Sequence, residues 1–328
     1  GARLAEESYF NGSIFDSIVH FVGVETSTVH FPEVRFEDKV RIRNSTFGLV
    51  YFSAAYFSRD TQFYSLEFTD GVSLERAQFD GICSFYETTI TRTADFSNAV
   101  FNDEANFWKT NFDDEVEFNN TEFFGEVFFR ETEFDIEERI WFIRSTFREK
   151  ADFMNIDLSG ADFRMADLTD ADFTEAKLCD VNFESALLSR ATLFRADLRG
   201  AKLNGAVLGD ARIDEDTQFL GHPDDDSNSS PHTFSAIRSK SCCVYDPNYD
   251  GDSESDVDKA KSVYRALEEL AGKAAQTRLQ SQCFVRRQDL QKDGYKQDAK
   301  KADSWQERLI AGTRYSRAKV ARGTLLYG

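Results

Sequence analysis

The sequence predicts a mainly β protein: a solenoid with a square cross-section over residues 1–219, followed by a small α-helical C-terminal region. Three observations predict this fold class. Every fifth position is apolar from Phe153 to Ile213, and a related pattern with a period of eleven precedes that run. After residue 256 the apolar residues change to helical spacing.

The five-residue period fits neither an α-helix nor one long β-strand. In a helix, five residues rotate the side chain by about 500°, so the apolar positions would spread over every face. In one long strand, positions i and i+5 point to opposite sides. Positions i−2 and i, however, share one side of a short strand, and position i−2 is mostly Ala in this run. A corner after each pentad therefore turns every large residue inward and closes the chain into a square tube.

The N-terminal half follows the same plan with one additional residue in every second pentad. Its apolar centres are spaced alternately by five and six, and position i−2 is again small or β-branched. The simplest interpretation is a wider second corner, comparable to a bulge. The centres of this half are Phe63, Phe68, Leu74, Phe79, Phe85, Ile90, Phe96, Phe101, Phe107, Phe112, Phe118, Phe123, Phe129 and Phe134.

The pattern extends to the N-terminus with looser spacing, through Phe10 and Phe15, and its register shifts near Ile140–Phe147. Together the centres allow roughly nine or ten coils. At about 4.8 Å per strand layer, the rod would be about 45 Å long.

The pentads "ADLSG", "ADFRM", "ADLTD", "ADFTE" and "ADLRG" resemble the pentapeptide-repeat family. The resemblance implies a right-handed quadrilateral β-helix with four pentads in each coil. Phe153 would then stack under Phe173, and Phe163 under Phe183. The tail motifs "VYRALEELA", "VRRQDL" and "LLYG" resemble the segment that follows the repeats in some archaeal members, where it leads to membrane-spanning segments. The acidic, Lys-poor repeat region would suit a halophilic organism.

Beyond the repeats, residues 220–256 are rich in acidic and turn-forming residues and are predicted to be an acidic flexible linker. Residues 257–328 are predicted to be a basic α-helical tail that caps the solenoid or tethers it to an effector. A first helix carries Val263 and Leu267, a second carries Ala275, Leu279, Phe284 and Leu290, and a third covers about 299–320. The tail contains 16 Lys+Arg and 8 Asp+Glu, which leaves 23 basic and 50 acidic groups in the remainder. Direct nucleic-acid binding is therefore not expected.

No catalytic motif is present, and neither an enzyme activity nor a cofactor is predicted. The four His residues lack zinc-site spacing, and the five Cys residues are expected to be free thiols in a reducing cytoplasm. Cys83 and Cys179 are expected at buried or corner positions of the repeat. One weak candidate metal site matches the first half of a calcium loop but lacks the final Glu, and its residues are Asp246, Asn248, Asp250 and Asp252.

The preferred function is a non-catalytic scaffold that binds a protein partner, and the chain could be the soluble part of a membrane-associated protein. Membrane association would use the basic tail or segments beyond Gly328, on the cytoplasmic side. The resemblance also implies an alternative, because some family members mimic duplex DNA and bind type II topoisomerases such as gyrase. A third interpretation is a regulatory domain of an ion channel or transporter. The partner and the oligomeric state remain open.

Overall fold

The computed structural model describes residues 7–219, 221, 243–249, 255–302 and 304–327, with side chains to 320. The chain divides into two compact units, Gly1–Gln218 and Phe219–Gly328. Among these described residues, every strand lies in the first unit, and the helices of the second unit are found from Val257 onward.

The first unit is a parallel β-solenoid with four faces, which we name A to D in chain order. Face A stacks seven strands in one sheet, β2-β5-β7-β9-β13-β17-β21, and a 15-stranded sheet forms the other three faces. The strands are β1 Glu7–Tyr9, β2 Ile14–Phe15, β3 Val19–Val22, β4 Glu25–His30, β5 Arg35–Phe36, β6 Val40–Tyr51, β7 Tyr56–Phe57, β8 Thr61–Ser73, β9 Gln78–Phe79, β10 Cys83–Ser84, β11 Thr89–Ile90, β12 Ala94–Asp95, β13 Val100–Phe101, β14 Ala105–Asn106, β15 Asn111–Phe112, β16 Val116–Glu117, β17 Glu122–Phe123, β18 Val127–Phe128, β19 Glu133–Phe134, β20 Ile140–Trp141, β21 Thr146–Phe147 and β22 Ala151–Asp152.

Beyond β22 the ladders continue as single bridges. Face A, for example, continues from Thr146 through Asp167, Leu187 and Val207. The seven stranded layers of this face and the bridged layers beyond them agree with the predicted nine or ten coils. In the N-terminal half, the parallel pair Cys83↔Ala105 spans two eleven-residue periods, which confirms that period. In the C-terminal half, the bridge Asp157↔Lys177 spans four pentads, which confirms the predicted coil.

The core is a set of stacked aromatic columns. Phe153 stacks on Phe173 with ring centroids 5.0 Å apart, and Phe163 stacks on Phe183 at 5.4 Å, as predicted. Rings on opposite faces meet edge to face, as Phe153 on face B and Phe163 on face D do at 85°. Both geometries suit the quadrupole of an aromatic ring. The small side chains at position i−2 fill the remaining space, and Cys83 is one of them, at 1% exposure.

The wide corners lie after faces A and C, where the spacing of the centres is six. Gly125 occupies one of them, and a Cβ atom there would lie 2.5 Å from the carbonyl carbon of Asp103. One coil is longer than the coil before it by two positions, since Val116 pairs with Ile140 whereas Ala94 pairs with Val116. The excess lies in the exposed segment 135–139, immediately before the region where the sequence predicts a register shift.

The described part of the second unit contains three helices: α1 Val257–Lys273, α2 Thr277–Lys301 and α3 Trp305–Tyr327. Asp256 caps α1 by accepting from the backbone N–H groups of Asp258 and Lys259. Two predicted boundaries were wrong. Ala275 has φ +57 and lies in the turn between α1 and α2, and α2 extends to Lys301, so the third helix begins at Trp305 rather than near 299.

Candidate functional site

A row of aromatic side chains follows the corner between faces B and C. Tyr64, Tyr86 and Trp108 each come directly after a buried Phe centre of face B. They are one coil apart, because β8, which contains Tyr64, pairs in parallel with β10, and β10 pairs with β14. Tyr86 and Trp108 come two residues after the ends of β10 and β14. The three side chains therefore lie in a row on the outside of the solenoid. We call this set, together with Arg43 and Lys109, the aromatic ridge.

The rings of the aromatic ridge contact one another. Tyr64 stacks on Tyr86 with centroids 5.2 Å apart and planes 12° apart, and Tyr86 meets Trp108 edge to face at 5.5 Å. Tyr64 is 40% exposed and Trp108 is 38% exposed. The ridge therefore presents a continuous, partly exposed aromatic surface that is fixed to a rigid ladder.

Cations lie at both ends of the row. The Arg43 guanidinium is 6.0 Å from the Tyr64 ring, and Lys109 Nζ is 6.0 Å from Tyr86 and 5.8 Å from Trp108. These distances allow cation–π attraction. A hydrogen bond with Glu87 raises the pKa of Tyr86, so its hydroxyl stays protonated at neutral pH. The ridge thus carries neutral rings flanked by positive charges.

Unlike the residues of the ridge, the acidic groups of the solenoid do not lie in one row. Carboxylates occur on all four faces, and many pair with a cation one coil away, as Asp170 pairs with Arg190 at 2.5 Å and Glu175 with Arg195 at 2.6 Å. Asp152 on face B and Asp157 on face C are likewise paired across coils. This pattern is scattered and partly neutralised, whereas duplex mimicry requires a continuous acidic stripe.

Comparison with known families agrees with this geometry. A family model described as pentapeptide repeats (9 copies) matches residues 63–111 and 74–122, and a second, pentapeptide repeats (8 copies), matches residues 149–174 and 171–210. The chain belongs to the pentapeptide-repeat family. No curated protein sequence matches this pentapeptide-repeat protein.

Several solved structures are similar to parts of the chain. The pentapeptide-repeat protein Rfr23 from Cyanothece 51142 is 22% identical over 30% of this chain and 60% of its own, with a TM-score of 0.23. The protein alr5209 from Nostoc Pcc 7120 is 35% identical over 25% of this chain and 74% of its own, with a TM-score of 0.19. Full-length QnrB1, a plasmid-mediated fluoroquinolone resistance protein, is 15% identical over 65% of this chain and 94% of its own, with a TM-score of 0.25.

The predicted calcium ligands are only partly placed. Asp246 is fully buried, and its carboxylate accepts hydrogen bonds from Arg286 Nε at 2.6 Å and Tyr264 Oη at 2.5 Å. The backbone N–H of Asn248 also donates to it, at 2.8 Å. A cation would have to compete with the guanidinium for this carboxylate. Asp250 and Asp252 lie outside the described residues, so the calcium site stays a prediction.

His20, His30 and Cys179 each contact neighbouring side chains of the solenoid. His30 stacks between Tyr9 and Tyr51, at 4.4 and 4.8 Å, and His20 lies 3.5 Å from Arg41. Cys179 is half-buried at a corner, and burial together with Asp197 raises its pKa to about 12. His222 and His232 fall outside the part of the chain that the structure describes. Within that part, no cluster of His, Cys, Asp or Glu could hold a metal ion.

Sequence reasoning missed both the aromatic ridge and the Asp246 network. The ridge has a signal in the sequence: an aromatic residue follows the face B centre in three successive coils. Comparing the residue after each centre, and not only the centre itself, would have found it. The Asp246 network has no such signal, since its partners Tyr264 and Arg286 are far away in sequence. Among the described helices, none combines the length and the apolar character needed to span a bilayer.

Proposed function

We propose that this pentapeptide-repeat protein is a non-catalytic binding platform for another protein, and that the aromatic ridge is the central contact. The single observation that supports the proposal is the exposed run of Tyr64, Tyr86 and Trp108 with its flanking cations. Trp, Tyr and Arg are the residue types that dominate the binding energy of protein interfaces.

Rigidity strengthens this argument. Each aromatic ring of the ridge follows a buried Phe that is stacked in the core, as Phe85 stacks on Phe107 with centroids 5.3 Å apart. The entropic cost of ordering these side chains on binding is therefore small. A scattered set of exposed apolar residues would not have this advantage.

The test compares two triple variants of the full chain in affinity capture with quantitative mass spectrometry. The ridge variant carries Tyr64→Ser, Tyr86→Ser and Trp108→Ser. The control variant carries Phe124→Ser, Met165→Ser and Leu187→Ser, which are 42%, 55% and 40% exposed on other parts of the solenoid. We expect a partner retained by the wild type and the control to fall by about tenfold or more with the ridge variant, since hot-spot losses are about 2 kcal/mol or larger.

Equal capture by the two variants would contradict the proposal, provided that both show the circular dichroism spectrum of the wild type. A gyrase supercoiling assay addresses the DNA-mimic alternative. Inhibition of supercoiling that the ridge variant retains would favour mimicry and would argue against the ridge as the binding surface.

A further inference from the structure

The parallel ladder of face C is interrupted between two successive coils. β19 (Glu133–Phe134) pairs with β15, which lies one coil earlier. Within residues 7–219, no bridge joins β19 to Asp157, the corresponding position one coil later. The other three faces are continuous across the same step, through the pairs β16–β20, β17–β21 and β18–β22. The gap is therefore local to face C.

The cause is the longer coil. Phe134 and Leu158 are successive centres of face C, and they lie two positions further apart in sequence than the preceding pair, Phe112 and Phe134. The exposed segment 135–139 lies directly after β19 and accounts for the difference. As a result Phe134 is less completely covered than the centre below it. It stacks on Phe112 at 5.1 Å and remains 9% exposed, whereas Phe112 is 1% exposed.

The backbone groups of the described solenoid that would close the ladder are not hydrogen-bonded across the gap. One coil later, Leu158 N donates to Lys177 O, and Lys177 N donates to Ile156 O. The equivalent bonds here would join Phe134 N to Asp157 O and Asp157 N to Thr132 O, and neither is formed in the described solenoid. The backbone on both sides of the gap thus carries polar groups without a strand partner.

A groove of about 710 Å³ occupies this position, lined by Asn111, Glu131, Glu133, Phe134, Asn155 and Asp157 among others. Its volume lies within the roughly 300–1,000 Å³ of binding sites in proteins. The carboxylates of Glu131 and Glu133 have neither a hydrogen-bond nor an ion-pair partner within the described solenoid. Lys109 is the cation at the rim, so the groove is acidic overall.

We propose that this groove binds an extended basic segment of a partner protein, which pairs with β19 as an added strand. Peptides commonly bind in this way to strands with an unpaired edge. Side chains alternate along a strand, so apolar residues of the segment would cover Phe134 while its Lys or Arg residues face Glu131 and Glu133. The inference goes beyond the proposed function, because the groove shares only Lys109 with the aromatic ridge, and the ridge variant leaves Lys109 unchanged.

The experiment uses the full chain and a fluorescein-labelled peptide of alternating Lys and Val, measured by fluorescence anisotropy. Two further peptides test its chemistry: one with Glu in place of Lys, and one with alternate backbone nitrogens methylated. We expect the methylated peptide and the Glu peptide each to bind at least about tenfold more weakly, because the first loses strand hydrogen bonds and the second meets like charge.

The matched variants are Glu131→Lys with Glu133→Lys, and Glu122→Lys with Glu126→Lys. All four residues are exposed, and both variants change the charge equally. We expect about a tenfold or greater loss of affinity in the first variant and less than about twofold in the second. The ridge variant should still bind the peptide, which separates this inference from the proposed function.

Hydrogen exchange on the wild type gives an independent readout if a variant fails to fold. The Phe134 and Asp157 amides should exchange faster than the Phe112 amide, and the Lys–Val peptide should slow them. Absence of binding at millimolar peptide, equal binding of the methylated peptide, or amides that are already protected would each overturn the inference.

Discussion

At the scale of single residues, the buried carboxylate of Asp246 organises the second unit. Burial opposes its ionisation, but hydrogen bonds from Arg286 and Tyr264 outweigh that effect and lower the pKa of Asp246. The network joins segment 243–249 to α1 and α2, the helices that carry Tyr264 and Arg286. Three neighbours of Asp246 in this segment are also buried: Cys243, Val244 and Tyr245.

Replacing Asp246 should therefore destabilise the helices. We expect Asp246→Ala to reduce the free energy of unfolding by about 3–5 kcal/mol, since it leaves the Arg286 guanidinium buried without its partner. The measurement is urea unfolding followed by circular dichroism at the helical minimum, a signal that comes from the second unit. Asp258→Ala is the control, with a side chain that is 95% exposed, and its effect should stay below about 1 kcal/mol. Equal effects of the two substitutions would contradict this role.

The pH dependence of this network has a defined sign. A carboxyl whose pKa is lowered by folding stabilises the folded state above its unfolded pKa of about 3.9, and this contribution disappears as pH falls through the folded pKa. The stability difference between wild type and Asp246→Ala should therefore shrink in strong acid.

Glu117 on face D shows the opposite shift. Burial, followed by the charge of Asp95, raises the pKa of Glu117. A raised carboxyl pKa means that stability falls as pH rises from the unfolded pKa through the folded one. We expect Glu117→Gln to raise the melting temperature at pH 7 and to have little effect near pH 3, where the wild-type carboxyl is protonated. Glu122→Gln, at an exposed position of face A, should change neither value. A lower melting temperature for Glu117→Gln at pH 7 would contradict a pKa of Glu117 that is raised by folding.

At the scale of elements, the solenoid is held by columns of stacked rings rather than by long strands. Phe107 lies between Phe85 and Phe129, with centroids 5.3 and 4.9 Å away, and is fully buried. Its ring also meets Phe96 and Phe118 edge to face. Removing it would leave a cavity bounded by all four of these rings.

The expected cost of Phe107→Ala is about 3–5 kcal/mol in the free energy of unfolding. Phe107→Leu should cost less, because it fills part of the cavity. The control is Phe124→Ala at a side chain that is 42% exposed, and its effect should be below about 1 kcal/mol. Thermal unfolding followed by Trp fluorescence measures all three. A loss from Phe124→Ala as large as that from Phe107→Ala would show that burial in the columns does not determine stability.

Sequence reasoning predicted the elements where side-chain size is decisive. The large centres and the small side chains at position i−2 can be read directly, because only a corner after each pentad brings both to the inside. The gap on face C could not be predicted, since it depends on how segment 135–139 is accommodated across the next coil. Corner residues such as Trp108 were also missed, because the core tolerates many side chains at that position and the pentad pattern carries no constraint there.

At the scale of the whole molecule, the two compact units are consistent with repeats followed by helices. The acidic flexible linker over 220–256 stays a prediction as a whole, although residues 243–249 pack into the second unit. The roles of the tail as a cap, a tether or a membrane contact also stay predictions, as does the halophilic origin. The net charge of −19 still argues against a direct role in nucleic-acid binding.

The central claim is that a partner protein contacts the aromatic ridge. Photo-crosslinking in the native host tests it most directly, with p-benzoylphenylalanine placed at position 108 in one protein and at position 124 in another. Both sites are exposed aromatic positions outside the core columns, so the probe should be tolerated at each. We predict a discrete crosslinked species from position 108 and none from position 124. Crosslinking to the same partner with equal yield from both positions, or only from position 124, would contradict the account.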